Sequence, residues 1–229
     1  MATVKLKRVF KLIEALAGGL VMLVAVAGLY AVTAAQGGPS FLLSDLQGVE
    51  MAQGIGRWLF VGFFFAFAVK APMAGLHTWL PDAAEQSTPG TSTLLVGILD
   101  KIGTFGMIKI CLLVFPEASA WATPAILIWA IVSVIYGALM AFQAKDLLRL
   151  VSYTSISHFG FMVLGIYVFT TQSINGSIFF MVNHGFSTAA LFLTVGYLIK
   201  RRGSAEVSAF GGVEKVAPVL AGAFEDRLR

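Results

Sequence analysis

Four side chains in this sequence could carry protons where charge is expensive: Lys70, Lys101, His158 and His184. Lys101 lies near the middle of a long apolar stretch, Thr91 to Phe115. Inserting a central lysine into lipid costs roughly 2.5–3.5 kcal/mol, so it persists only where it faces protein or water. An amine taken out of water without a counter-ion holds its proton less tightly, and can then load and release it. Asp100 comes directly before Lys101. Consecutive helix residues do not face each other, so the carboxylate is expected to help neutralise the region without pairing directly. The plain alternative for Lys101 is a static buried ion pair.

Lys70 stands in Phe63-Phe64-Phe65-Ala66-Phe67-Ala68-Val69-Lys70-Ala71-Pro72. Pro72 has no N–H to donate and crowds the preceding turn. The carbonyls near Phe67 and Ala68 are therefore expected to be freed beside the ammonium. Helices broken around a charge recur in ion-coupled transporters. The alternative is a lysine snorkelling from a helix end, which fits if the helix stops at Pro72. The apolar continuation Gly75 to Leu80 favours the longer span and the functional reading.

His158 follows Ser155 and Ser157, and His184 follows Asn183. Both fall mid-span, at similar depth. Each alone reads as a hydrogen-bonded core residue. Together with the lysines they form a candidate polar row across four helices, and imidazole titrates near neutral pH. His77, beside Trp79 and Pro81, reads as interfacial. Glu14 and Lys109 near span ends read as snorkelling or headgroup contacts, and Arg149 as an anchor. No metal site is expected from three histidines in separate segments, and lone Cys111 excludes an internal disulfide. The sequence has no phosphate-binding glycine loop or nucleophile elbow, so no cofactor is expected. The basic residues are scattered at span ends, which argues against nucleic-acid binding.

Six apolar segments would position these residues: Leu12–Val32, Trp58–Leu80 with Pro72 inside it, Thr91–Phe115, Trp121–Phe142, Leu147–Phe169 and Gly176–Ile199. Of 229 residues, 58% are hydrophobic and 12% charged, against about 25% charged in soluble domains. Each segment is close to the roughly 20 residues that cross a bilayer as a helix. They must be helices, because in lipid each segment has to satisfy its own backbone, and the runs lack the alternation of barrel strands. The fold class is all-α: a polytopic transmembrane bundle with a Pro-broken second span. Lys5, Lys7, Arg8 and Lys11 before the first apolar run, with Thr33-Ala34-Ala35 after it, resemble a signal peptide, but the apolar core is too long for one.

Residues 1–11 then form a basic tail, 12–199 the bundle, and 200–229 a polar segment leading into a short apolar run, Ala217 to Phe224. That run reads as the start of a further span. The N-terminal lysines, Lys145, Arg149 and Lys200-Arg201-Arg202 fall on one side of the bundle, and Arg57 on the other. The positive-inside rule puts the first side, with both chain ends, in the cytoplasm. Trp58, Trp79 and Trp121 sit near span ends, where amphipathic rings favour the interface. The phenylalanines from Phe60 to Phe67 read as lipid- or partner-facing, and Gly103, Gly106 and Gly160 as points of close helix approach.

Three stretches carry a family resemblance: FAVKAPMAGLHTWLPDAAEQSTPGTSTLLVGILDKIGTFGM, AKDLLRLVSYTSISHFGFMVLGIY and MVNHGFSTAALFLTVGYLIKRR. They resemble the antiporter-like membrane subunits of respiratory complex I, the proton-pumping NADH:quinone oxidoreductase, and most closely the branch of bacterial M subunits. The resemblance covers about Leu16 to Phe224. It implies part of a fourteen-helix fold with inverted five-helix repeats, here the sixth to eleventh helices. It implies a bacterial cell membrane and partners among the other membrane subunits of complex I. It matches Lys70 to a broken-helix lysine paired with a glutamate, and Lys101 to the central lysine of a membrane-embedded polar axis. His158 and His184 match histidines between that lysine and the exit half-channel. In the family, charge shifts along this axis couple distant quinone reduction to proton translocation.

The chain departs from that pattern at its ends. The partner glutamate of Lys70 would precede this sequence, Glu14 is not its equivalent, and the ionisable residue of the twelfth helix would follow it. These departures lead us to expect a fragment that does not conduct protons alone. Two other readings remain open at this stage. One is a subunit of a multisubunit cation/proton antiporter or a membrane-bound hydrogenase; the other is an inactive remnant.

Overall fold

The computed structural model describes the backbone of residues 2–216 and Pro218, and side chains from Leu16 to Val213 with those of Lys215 and Pro218. The apolar run expected at Ala217 to Phe224 lies outside this range, apart from Pro218. Among the described residues there are helices and one isolated bridge, Asp146 to Glu206, but no strand.

The first helix, α1, runs Ala2–Ala35 without a boundary at Leu12, so the basic tail continues the span as helix. A one-turn helix α2, Leu43–Leu46, leads into α3, Gln53–Lys70. The helix α3 stops at Lys70 because Pro72 cannot supply the next backbone donor. The chain then turns through residues 71–78, with Gly75 at φ +95°, and resumes as α4, Trp79–Gln86. Thr88 caps the next helix, its Oγ1 accepting from the Thr91 N–H at 3.3 Å, and Pro89 takes the first turn.

The expected third span is not one continuous α-helix. It comprises α5 (Pro89–Leu94), a π-helical stretch Leu95–Leu99, α6 (Lys101–Gly106) and a second π-helical stretch Met107–Leu112. Wider π turns inside α-helices often coincide with functional sites. Three long helices follow: α7 (Pro116–Phe142), α8 (Leu147–Tyr167) and α9 (Thr171–Arg202). Asp146 caps α8 by accepting from the Leu148 and Arg149 N–H groups at 2.8 and 3.0 Å. Thr170 and Ser173 form a capping box at the start of α9, and Gly203 ends it at φ +75°. Lys200, Arg201 and Arg202 fill its last turn, where cations complement the helix dipole. After a 3-10 turn at Val207–Ala209, the short α10 (Val213–Val216) closes the described chain.

Among the described residues, four helices are long and apolar enough to cross a membrane: Leu16–Ala35, Pro116–Phe142, Leu147–Tyr167 and Thr171–Arg202. The expected second and third spans differ from these because each is interrupted. Helix α8 is the centre of the bundle, packed between α7 and α9, with Ile156, Phe159, Met162, Val163 and Ile166 fully buried. The phenylalanines of α3 depart from their expected outward placement. Phe60, Phe63, Phe64 and Phe67 are buried, Phe63 lying 5.8 Å from Phe115 and Phe64 edge-on to Tyr167 at 5.6 Å. Trp58, Phe142, Phe179 and Phe186 instead point outward.

Candidate proton-relay site

The break after Lys70 is where the site begins. The expected free carbonyls are not free: Phe67 O accepts from the Ala71 N–H at 2.7 Å and Ala68 O from the Met73 N–H at 3.2 Å. The Val69 carbonyl, left over by the break, accepts from the indole N–H of Trp79 at 2.9 Å. Trp129 Nε1 donates to Ala74 O at 2.7 Å, and the Ala74 N–H donates to Ser133 Oγ at 3.1 Å. The turn is thus pinned to α7 from both sides, with its polar groups satisfied as a buried loop requires. Lys70 itself is exposed at the end of α3, a position that suits an ammonium against a helix C-terminus. It ends its helix just before Pro72, the case in which the snorkelling alternative fits.

His77 belongs to the same turn. Only 5% of it is exposed, so its ring is packed inside the protein. Its Nδ1 accepts from the Gly75 N–H at 3.1 Å, and its ring meets Tyr136 edge-on at 4.8 Å. The histidine closes the turn.

Lys101 faces away from the break. Its Nζ donates to the Val96 carbonyl within the first π-helical stretch, and stands 5.3 Å from the centre of the Phe159 ring on α8. An ammonium over an aromatic face gains cation–π stabilisation that is larger when desolvated. Behind Phe159 lie the two imidazoles. The rings of His158 on α8 and His184 on α9 are 5.0 Å apart and nearly perpendicular, at 82°. Phe180 closes on His158 at 5.5 Å, and Phe159 lies 5.6 Å from His184. The charge of Lys101 is felt at both imidazoles. His158 Nδ1 and both ring nitrogens of His184 are buried without a hydrogen-bond partner among the described residues. Buried polar atoms are almost always satisfied by protein or water, which sets these nitrogens apart from the satisfied groups of the break.

Two close approaches assemble the site. A Cβ at Gly103 would stand 2.5 Å from Ala71 N and 2.7 Å from Phe67 O, so only glycine lets α6 lie against the end of α3. A Cβ at Gly185 would meet Gly97 O at 2.9 Å, so α9 reaches the π-helical stretch and brings His184 towards Lys101. Gly106 against Phe67 and Gly160 against Ala130 behave likewise, as the sequence suggested.

Of the four residues, three converge: Lys101, His158 and His184. Lys70 is set apart, beyond α6. Asp100 comes directly before Lys101 and was expected to help neutralise the region without pairing directly. It is 1% exposed and feels the charges of both lysines. The signal was present, as an aspartate beside a lysine in mid-span. The π-helical stretches had no sequence signal. No group of three metal-ligating side chains occurs among the described residues.

Comparison with known proteins identifies the family. Residues 8–225 match the family described as NADH:quinone oxidoreductase/Mrp antiporter, TM. NADH-quinone oxidoreductase subunit M of Mycobacterium tuberculosis is 51% identical over 216 residues, covering 90% of this chain and 38% of that protein. Its counterpart in Escherichia coli is 39% identical over 198 residues, covering 86% of this chain and 39% of that protein. The chain thus spans about two fifths of the length of these curated relatives. Among solved structures, respiratory complex I from Thermus thermophilus with bound NADH contains a chain that superposes with a TM-score of 0.85. That chain is 34% identical, and the match covers 93% of this chain and 45% of that one. A chain of the Mrp complex from Dietzia superposes at 0.83 with 24% identity, a likeness of fold alone. With this family match and these relatives, the chain is a multi-pass membrane protein that belongs to the NADH:quinone oxidoreductase/Mrp antiporter family.

Proposed function

We propose that this chain is the proton-relay core of a membrane subunit of NADH:quinone oxidoreductase. Lys101 is the central titrating group, and His158 and His184 pass its proton onward. The observation that carries this reading is the cluster itself: a half-buried ammonium over Phe159, backed by two imidazoles 5.0 Å apart, with His158 Nδ1 and both His184 nitrogens buried and without a partner among the described residues. Lys70, at the end of α3, is the charge that sets whether Lys101 keeps its proton. Distant quinone chemistry would drive that charge shift through the other membrane subunits, which are the partners this role requires. The relatives named as NADH-quinone oxidoreductase subunit M support this context over an antiporter.

We read the chain as six spans within residues 12–199, counting the two interrupted helices, followed by a polar segment from residue 200. The basic clusters favour both ends of the sequence facing the cytoplasm. The relay is tested in the full-length protein assembled in its complex. Replacing both imidazoles, His158→Leu with His184→Leu, is expected to lower proton pumping on the order of a hundredfold, as loss of positioned proton transfer does. Unchanged pumping in the assembled double variant removes the histidines from the path.

A further inference from the structure

The relay above leaves a buried carboxylate unused. Asp100 is 1% exposed, and its Oδ2 has no hydrogen-bond partner among the described residues. A carboxylate in that position is costly unless it is neutralised or paired. Its surroundings show what could do either. Gly103 lies three residues further on, on the same helix face as Asp100. That face meets the end of α3 at Phe67 and Ala71, next to Lys70. Lys101 reaches the other way, to Val96 O and the Phe159 ring. The charges of both lysines act on Asp100. The remaining titratable groups nearby are His158 on α8 and His184 on α9, which lie beyond Lys101 and feel its charge.

We propose that Asp100 is a proton-carrying residue between Lys70 and Lys101, joining the broken helix to the histidine pair. The proposal rests on the relay reading and adds the step that feeds it. The Lys70 ammonium gives a proton to the Asp100 carboxylate, directly or through one water: an N–H bond breaks, an O–H bond forms, and both groups become neutral. The Asp100 acid then gives that proton to the neutral Lys101 amine, and the carboxylate is restored. One proton moves and no electron is exchanged. Neutralising the buried Asp100 carboxylate removes a charge that is expensive in a low-dielectric interior. The two side chains of Asp100 and Lys101 reach different neighbours, so a proton handed from one to the other also changes the helix face on which it travels.

The test uses the full-length protein assembled in its complex and reconstituted in vesicles, with protons pumped per NADH oxidised as readout across a pH series. Asp100→Asn keeps the shape but cannot act as an acid, and is expected to lower that ratio at least twofold. Asp100→Glu restores the acid, and is expected to recover most of the ratio with a displaced pH profile. Lys101→Ala is measured alongside. If Asp100→Asn pumps like the unaltered protein while Lys101→Ala does not, the Asp100 step is overturned and the relay stands. If both pump normally, the relay reading fails and takes the Asp100 step with it. If Asp100→Asn does not assemble, infrared difference spectra of the Asp100→Glu complex with carboxyl-labelled glutamate decide. A label-sensitive protonated-carboxyl band that appears during turnover, and is absent from the unaltered complex, supports the step; its absence overturns it.

Discussion

A lysine inside an apolar bundle can be a fixed charge or a proton carrier, and one substitution separates the two. Arginine keeps its proton under all conditions met by proteins. Lys101→Arg should therefore retain the cation beside Val96 O and Phe159, and the complex should assemble. Pumping should nevertheless fall on the order of a hundredfold, the scale of a lost proton-transfer group. Vesicle acidification by the assembled variant measures this, and pumping at the original rate would make Lys101 a static charge. Lys101, His158 and His184 were legible from type and depth alone, because charge and imidazole are conspicuous in an apolar background. Asp100 was expected only to help neutralise the region. Helix periodicity showed that it does not face Lys101, yet could not show that its own face meets the break after Lys70.

The break itself is the element on which the site depends. The sequence announces it through Pro72, but the partners of the freed groups were not legible. The Val69 carbonyl finds Trp79, ten residues on, only because the turn at residues 71–78 folds back on α3. Trp79→Phe leaves that carbonyl unpaired and should cost about 1–3 kcal/mol. A lowered melting temperature of the detergent-solubilised protein is the expected result; an unchanged one would mean that water replaces the indole without loss. The outward reading of the α3 phenylalanines failed for a physical reason. Lipid tails are as apolar as leucine, so hydrophobic pattern does not tell a lipid-facing side from a packed one. The π-helical stretches were hidden likewise, since a wider turn needs no distinctive residues.

At the scale of the whole molecule, one end is held together by polar contacts. Arg149 Nη1 reaches Asp82 and Glu85 at 2.8 and 2.6 Å, tying α8 to α4, so it is more than an anchor. The segment after α9 folds back onto the start of α8, with the Leu147 N–H donating to Ala205 O and the Val207 N–H to Lys145 O, each at 2.9 Å. Lys200, Arg201 and Arg202 lie at this same end. A single cysteine introduced at Ser204 in a Cys111→Ala background should react with a membrane-impermeant maleimide only from the cytoplasmic face. Labelling from the outside would invert the proposed orientation. The all-helical bundle was legible because lipid permits few alternatives. The number of spans was harder to read, because two of the apolar segments are interrupted. The account turns on Lys101 more than on any other residue, and one comparison tests it most directly: protons pumped per NADH oxidised by the assembled complex carrying Lys101→Ala, beside Lys109→Ala as a control from the same helix. Lys109 is exposed and outside the cluster. The account expects pumping to disappear in the first and persist in the second; full pumping by assembled Lys101→Ala would contradict it.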